Sequence, residues 1–183
     1  MLAPLRGMTL LDASEREYDD AVENLRPAYR TLKLSASGAT IVVNAKALYH
    51  LLPALIPPID RQYTIRFFTK TPDNWRDRKG KFKPIMLPAD ADAQFRLSQK
   101  ICAKVKRLAD RVDGALFERE RREHGVTPPK AIDNAIVNQL CPARLRSYRG
   151  RSGSDVSHDA GHGRLTHIPP RAASACSAGD RTM

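Results

Sequence analysis

The stretch DADAQFRLSQKICAKVKRLADRVDGALFERERRE, residues 90–123, decides the fold. Leu97, Ile101, Val105, Leu108, Val112 and Leu116 recur at intervals of four, four, three, four and four. At 3.6 residues per turn they fall on one side of a helix, and a run this long needs a core to lie on. The opposite side carries Arg96, Lys100, Lys104, Arg107, Arg111 and Glu118. The pattern predicts one long amphipathic helix from about Asp90 to Glu123. The segment HGVTPP, residues 124–129, breaks it, and Pro128-Pro129 opens a last short helix, KAIDNAIVNQL, because proline fits the first helical turn.

Working toward the N-terminus, TKTPDNWRDRKGKFKP shows no apolar periodicity and reads as a long loop over 69–84. A helix is expected to begin at Asp60, with Ile65, Phe67 and Phe68 as its apolar residues. Before it, ALIPPID is extended, since a residue preceding proline avoids the helical region. Residues 44–52 read as a helix capped by Asn44, with Ala45, Leu48, Leu51 and Leu52 inward and Lys46 and Tyr49 on the wetter side. Ile41, Val42 and Val43 open this region as a short strand. Residues 9–34 are expected to be mostly helix, ended or kinked at Pro27.

At Cys141 the composition changes. From there to Met183 there is no Lys, Glu or Phe, while Arg, Ser, Gly, Ala and His dominate. Seven Arg and three Asp give this tail a formal +4. It has too little apolar surface to offset its ordering entropy, so disorder is expected. The reading is therefore mainly α: a helical domain over 1–140 and a disordered basic tail over 141–183.

The whole chain has 183 residues and a formal net charge of +11. A basic chain of this kind favours anionic partners, nucleic acid first and an acidic protein second. The N-terminal segment MLAPLRGMTLLDASEREYDD turns acidic too soon for a signal peptide. No apolar run reaches membrane-spanning length, so no membrane partner is expected. Three widely spaced cysteines, Cys102, Cys141 and Cys176, form no CxxC; reduced thiols in a cytoplasm are expected. Neither these spacings nor any P-loop, GxGxxG or HExxH element implies a metal or cofactor.

Two stretches carry candidate chemistry. In NWRDRKGKFKP, residues 74–84, the cations Arg76, Arg78, Lys79, Lys81 and Lys83 surround Trp75 and Phe82. Basic side chains neutralise phosphates and exposed aromatic rings stack on bases, so these seven residues are the candidate nucleic-acid contacts. The alternative is a solvated hairpin with both rings packed inward.

The other stretch is NAKALYHLLPALIPPIDRQYTIRFF, residues 44–68. A turn with Gly38, an apolar segment with Lys46, then Pro57, Pro58, Ile59, Asp60, Thr64 and Arg66 follow in order. This order resembles the core of the helix-hairpin-helix base-excision DNA glycosylases. Lys46, Leu48, Pro53, Pro57 and Asp60 also resemble an order shared by some uncharacterised bacterial proteins. The glycosylase resemblance implies a DNA-associated fold, Asp60 as the catalytic carboxylate and Lys46 as a nucleophile. From the residues alone, Asp60 is also a good helix N-cap, and Lys46 an ordinary helix lysine with its charge in water. A non-catalytic interaction protein is the competing function.

Overall fold

The computed structural model describes residues 2–32, 34 and 39–141. The expected disorder of the tail falls outside these residues, apart from Cys141, as does the turn at Ser35–Gly38. The described residues are mainly helical: α1 (Glu15–Glu23), α2 (Arg26–Thr31), α3 (Thr40–Leu51), α4 (Arg66–Thr69), α5 (Ala91–Ala109), α6 (Gly114–His124) and α7 (Pro128–Leu140). No helix among them is long and apolar enough to cross a membrane.

Helix α5 is the axis of the fold. Asp90 caps it by accepting a hydrogen bond from the Ala93 N–H, and α1, α2, α3 and α7 all pack against it. Phe95, Ile101, Cys102, Val105 and Ala109 are buried along its inner side. Each fully buried large side chain of this kind contributes about 1.5–3 kcal/mol of transfer free energy. The expected start at Asp90 holds, but the helix stops at Ala109 instead of running to Glu123. The Arg111 and Val112 N–H groups donate three residues back, to Leu108 and Ala109, which tightens the chain out of the α path. Asp113 then caps α6 through the Ala115 N–H, followed by Gly114. Aspartate favours caps over helix interiors, and a mid-helix glycine costs about 1 kcal/mol relative to alanine. Local chemistry thus cuts the apolar row: Leu116 is 40% exposed, and Phe117 takes the buried place. Gly125 ends α6 in the left-handed conformation at φ +64°.

Three further expectations are corrected. Residues 9–34 do not form one mostly continuous helix. Thr9–Ala13 is a turn, α1 begins where Ser14 and Glu17 form a reciprocal capping box, and the path breaks at Asn24 before Pro27 enters the first turn of α2. Ile41–Val43 is helix, not strand. The Gln94 side-chain carbonyl on α5 accepts from the Ile41 N–H and the Thr40 hydroxyl, capping α3 from across the core. Asn44 consequently sits inside α3, buried, and its amide donates to the Tyr29 carbonyl at 2.8 Å. Ala45, Leu48 and Leu52 point inward as expected, but Leu51 is 52% exposed.

Between α3 and α4 the chain packs Leu55, Ile56 and Ile59 into the core. The Tyr18 hydroxyl donates to the Leu55 carbonyl, and the Leu10 N–H to the Ala54 carbonyl, which pins a turn under the N-terminal region. The Leu55 and Ile56 N–H groups both return to the Leu52 carbonyl, so the expected extended path of ALIPPID does not hold over Ala54–Ile56. Residues Arg61–Ile65 then form one wide π-type turn, in which the Ile65 N–H reaches the Asp60 carbonyl five residues back at 2.9 Å.

Candidate nucleic-acid interface

Residues 74–84 form a small closed hairpin. Arg76 and Phe82 pair as an antiparallel bridge, and the Asp77 N–H donates to the Lys81 carbonyl at 2.8 Å. The Asp77 carboxylate accepts from the Lys79 and Lys81 N–H groups, each at 2.9 Å. Gly80 closes the turn at φ +74°, where any side chain would be strained.

Arg66 holds the hairpin to the domain. It is only 3% exposed. Its guanidinium donates to the carbonyls of Gln62, Trp75 and Lys83 at 2.9, 2.9 and 2.7 Å. Burial depresses its pKa, with the nearby Arg76 charge as the lesser cause, yet an arginine stays charged in a protein. Among the described residues no carboxylate pairs with it; carbonyl dipoles and the Phe82 ring, 4.6 Å away, solvate it instead. Arg76 lies 4.1 Å from the same ring centroid and donates to the carbonyls of Gly80 and Leu140. Phe82 therefore contacts two guanidiniums, with Tyr63 edge-on at 6.1 Å.

The candidate contacts fall into two groups. Trp75, Arg76 and Phe82 belong to the interior order of the hairpin: Trp75 packs on Phe67 and donates its indole N–H to the Lys70 carbonyl. Arg78, Lys79 and Lys81 are exposed, and among the described residues their side chains make no ion pair or hydrogen bond. Lys83 reaches only the Asn74 side-chain oxygen, at 3.4 Å.

The outer side of α5 adds cations. Contacts run from the hairpin to it: Trp75 to Phe67 at 6.1 Å, Phe67 to Phe68 at 5.1 Å, and Phe68 to the Lys104 ammonium at 6.0 Å. Lys104 also donates to the Phe68 carbonyl at 2.8 Å. Beside it lies a hollow of about 230 Å³ floored by Phe68, Leu97 and Ile101 and edged by Lys100, Lys104 and Arg107. A second hollow, about 360 Å³, adjoins it across Lys100 and Ala103 and includes Asp19, Val22 and Arg96.

Asp60 lies in neither hollow. One of its oxygens accepts from the Gln62 and Tyr63 N–H groups at 2.7 and 3.0 Å, so it caps the wide turn. Its other oxygen lies 3.8 Å from the Lys46 ammonium; the two side chains are 32% and 52% exposed. The two candidate catalytic residues are thus neighbours across α3 and the turn. Behind them runs a buried polar chain. The Asp60 N–H donates to the Thr64 hydroxyl, which donates to Asp133 on α7 at 2.9 Å, and Asp133 accepts from Lys130 at 2.7 Å. Sequence reading noted Thr64 but missed Asp133 altogether; its one signal was a lone carboxylate on the apolar side of a helix, at 132–136.

Among the described residues, no group of three His, Cys, Asp or Glu side chains is placed to hold a metal. Compared with protein-family models, curated proteins and solved structures, the chain shows no match.

Proposed function

We propose that this chain is a DNA-associated, non-catalytic helical protein that holds phosphates with the hairpin cations Arg78, Lys79, Lys81 and Lys83 and with the outward cations of α5. The observation that carries this reading is the division of labour in the hairpin. Arg66 and Arg76 are committed to the fold, whereas Arg78, Lys79 and Lys81 stand exposed, with no partner among the described residues, on a turn that the fold has already ordered. Holding cations on a rigid element lowers the ordering cost of binding. Trp75 and Phe82 act as supports in this scheme, not as stacking platforms. The same proposal places the protein in the cytoplasm, where the buried Cys102 thiol, pushed up to about 12 by desolvation, stays protonated.

The test is fluorescence anisotropy of the full chain with labelled duplex DNA across a salt series. Binding should weaken steeply with salt. Changing Arg78, Lys79 and Lys81 together to alanine should lower the log–log slope by about 0.9 for each phosphate that is no longer neutralised. Absence of binding at low salt to duplex and single-stranded DNA alike would overturn the proposal and turn attention to an acidic protein partner for the same cations.

One observation favours a second reading, in which the Lys46–Asp60 pair is catalytic as in the helix-hairpin-helix glycosylases: the 3.8 Å approach of the two groups. Asp60→Asn separates the readings, because asparagine caps a helix as well as aspartate does. Base excision from lesion-bearing DNA that is lost in Asp60→Asn, with melting temperature unchanged, would establish the catalytic reading. Absence of excision by the unaltered chain removes it.

A further inference from the structure

Resting on the DNA-associated reading, we propose that the two adjoining hollows on α5 take unstacked bases, so that the chain prefers single-stranded over double-stranded nucleic acid. The first hollow joins two features that a duplex backbone does not need together. Its floor is apolar, made by Phe68, Leu97 and Ile101, and its edge is cationic, made by Lys100, Lys104 and Arg107. None of its lining residues is acidic. A duplex presents phosphates outward and keeps its base faces stacked inside, so it satisfies the edge and leaves the floor wet. An unpaired nucleotide satisfies both, with its phosphate on the edge and its base on the floor.

The arrangement along the helix supports an extended strand. Lys100, Lys104 and Arg107 follow one another at four and three residues, so the steps advance about 6 Å and about 4.5 Å along α5. Among the described residues Lys100 makes no ion pair or hydrogen bond, and Arg107 meets only the exposed Glu15, at 3.5 Å. These two cations are available to a ligand, while Lys104 is held over Phe68 by the Phe68 carbonyl. The second hollow continues from the first across Lys100 and Ala103. There the Asp19 carboxylate and the Gln99 amide can meet the polar edge of a base that sits against Val22. The Gln99 amide also donates to Glu23 at 2.5 Å, which fixes its orientation at this rim.

The position between the hollows allows a test that leaves every charge in place. Ala103 lines both hollows and is half-buried. Ala103→Leu puts three more carbon atoms into that shared space without removing a cation. The experiment measures anisotropy of the full chain with a labelled thymidine oligonucleotide and, separately, with a labelled duplex hairpin, at one salt concentration. The unaltered chain should bind the single strand more tightly than the duplex. Ala103→Leu should weaken single-strand binding about tenfold, the worth of seating one base, and leave duplex binding within about twofold. Lys100→Ala keeps the hollow's floor and supplies a second variant should Ala103→Leu lose its helical circular dichroism; it should weaken the single strand more than the duplex. Equal binding of both forms, or single-strand binding indifferent to both variants, overturns this inference. Duplex binding that still depends on Arg78, Lys79 and Lys81 would in that case leave the broader DNA-associated reading standing. If neither form binds, both are overturned.

Discussion

The hairpin at 75–83 and the outward side of α5 are both rich in lysine and arginine, but only the hairpin needs some of those charges to hold its own backbone. In the hairpin, cation and carbonyl are matched from within: Arg66 serves the carbonyls of Trp75 and Lys83, and Phe82 lies against two guanidiniums. On α5 the helix has already satisfied its own carbonyls, so its cations have no backbone of their own to serve. Among the described residues only Lys104 finds a carbonyl, and that belongs to the end of α4. The loop uses Arg66 and Arg76 to hold its shape and leaves Arg78, Lys79 and Lys81 over; the helix needs none of its cations for its own carbonyls and leaves Lys100 without a partner among the described residues. Counting positive residues therefore says little about where a polyanion binds.

The largest effect expected from breaking this contrast comes from Arg66. Arg66→Ala leaves three carbonyls without their donor and exposes the Phe82 ring, and should cost about 3 kcal/mol in urea denaturation. Because Trp75 is the sole tryptophan and rests on this hairpin, its emission should shift to the red. Phe82→Ala removes the ring between two guanidiniums and should cost about 2 kcal/mol with a similar shift in emission. If either variant melts like the unaltered chain, the hairpin is not held from within.

The α5 side should behave in the other sense. Lys100→Ala removes a side chain with no partner among the described residues, and stability should change by no more than about 0.5 kcal/mol. A larger drop would mean that Lys100 serves the fold as Arg66 does. The smallest effect is electrostatic and lies at the start of α5. Arg30 donates two hydrogen bonds to Asp92 and thereby holds its carboxyl below the ordinary value of 3.8. A depressed folded pKa gives stability that is present above the unfolded value and lost as pH falls through the folded one. In Arg30→Ala the acid limb of a stability–pH curve should accordingly be shallower below pH 3.8. Both groups are exposed, so the change should be small and should shrink further in high salt.

How much of this was legible beforehand differs between the two regions. The α5 pattern announced itself because a repeat of three and four residues is a property of the helix alone. Its end did not, because the apolar row continues through Val112 to Leu116 while the chain obeys Asp113 and Gly114. The hairpin's seven residues were found as a group by composition. That Trp75 and Phe82 would pack half-buried, and that Arg76 would be bound to carbonyls while staying exposed, depended on Arg66 and Leu140, which sit outside the segment. Asp60 was legible as a cap. The carboxylate that completes its polar chain, Asp133, lies 73 residues away, and its one local sign was to be a lone carboxylate on the apolar side of a helix.

By itself the sequence determined the helical class, the starts at Asp90 and Pro128, and the basic character of the whole. These follow from periodicity, capping chemistry and charge, all of which act within a few residues. The tertiary structure alone decided that Ile41–Val43 would be helix, because Gln94 caps it from another element. It alone decided which cations are consumed and which remain, because that turns on carbonyls and rings brought from distant parts of the chain. Local rules set what each segment can form; only packing sets which groups are left over to meet a partner.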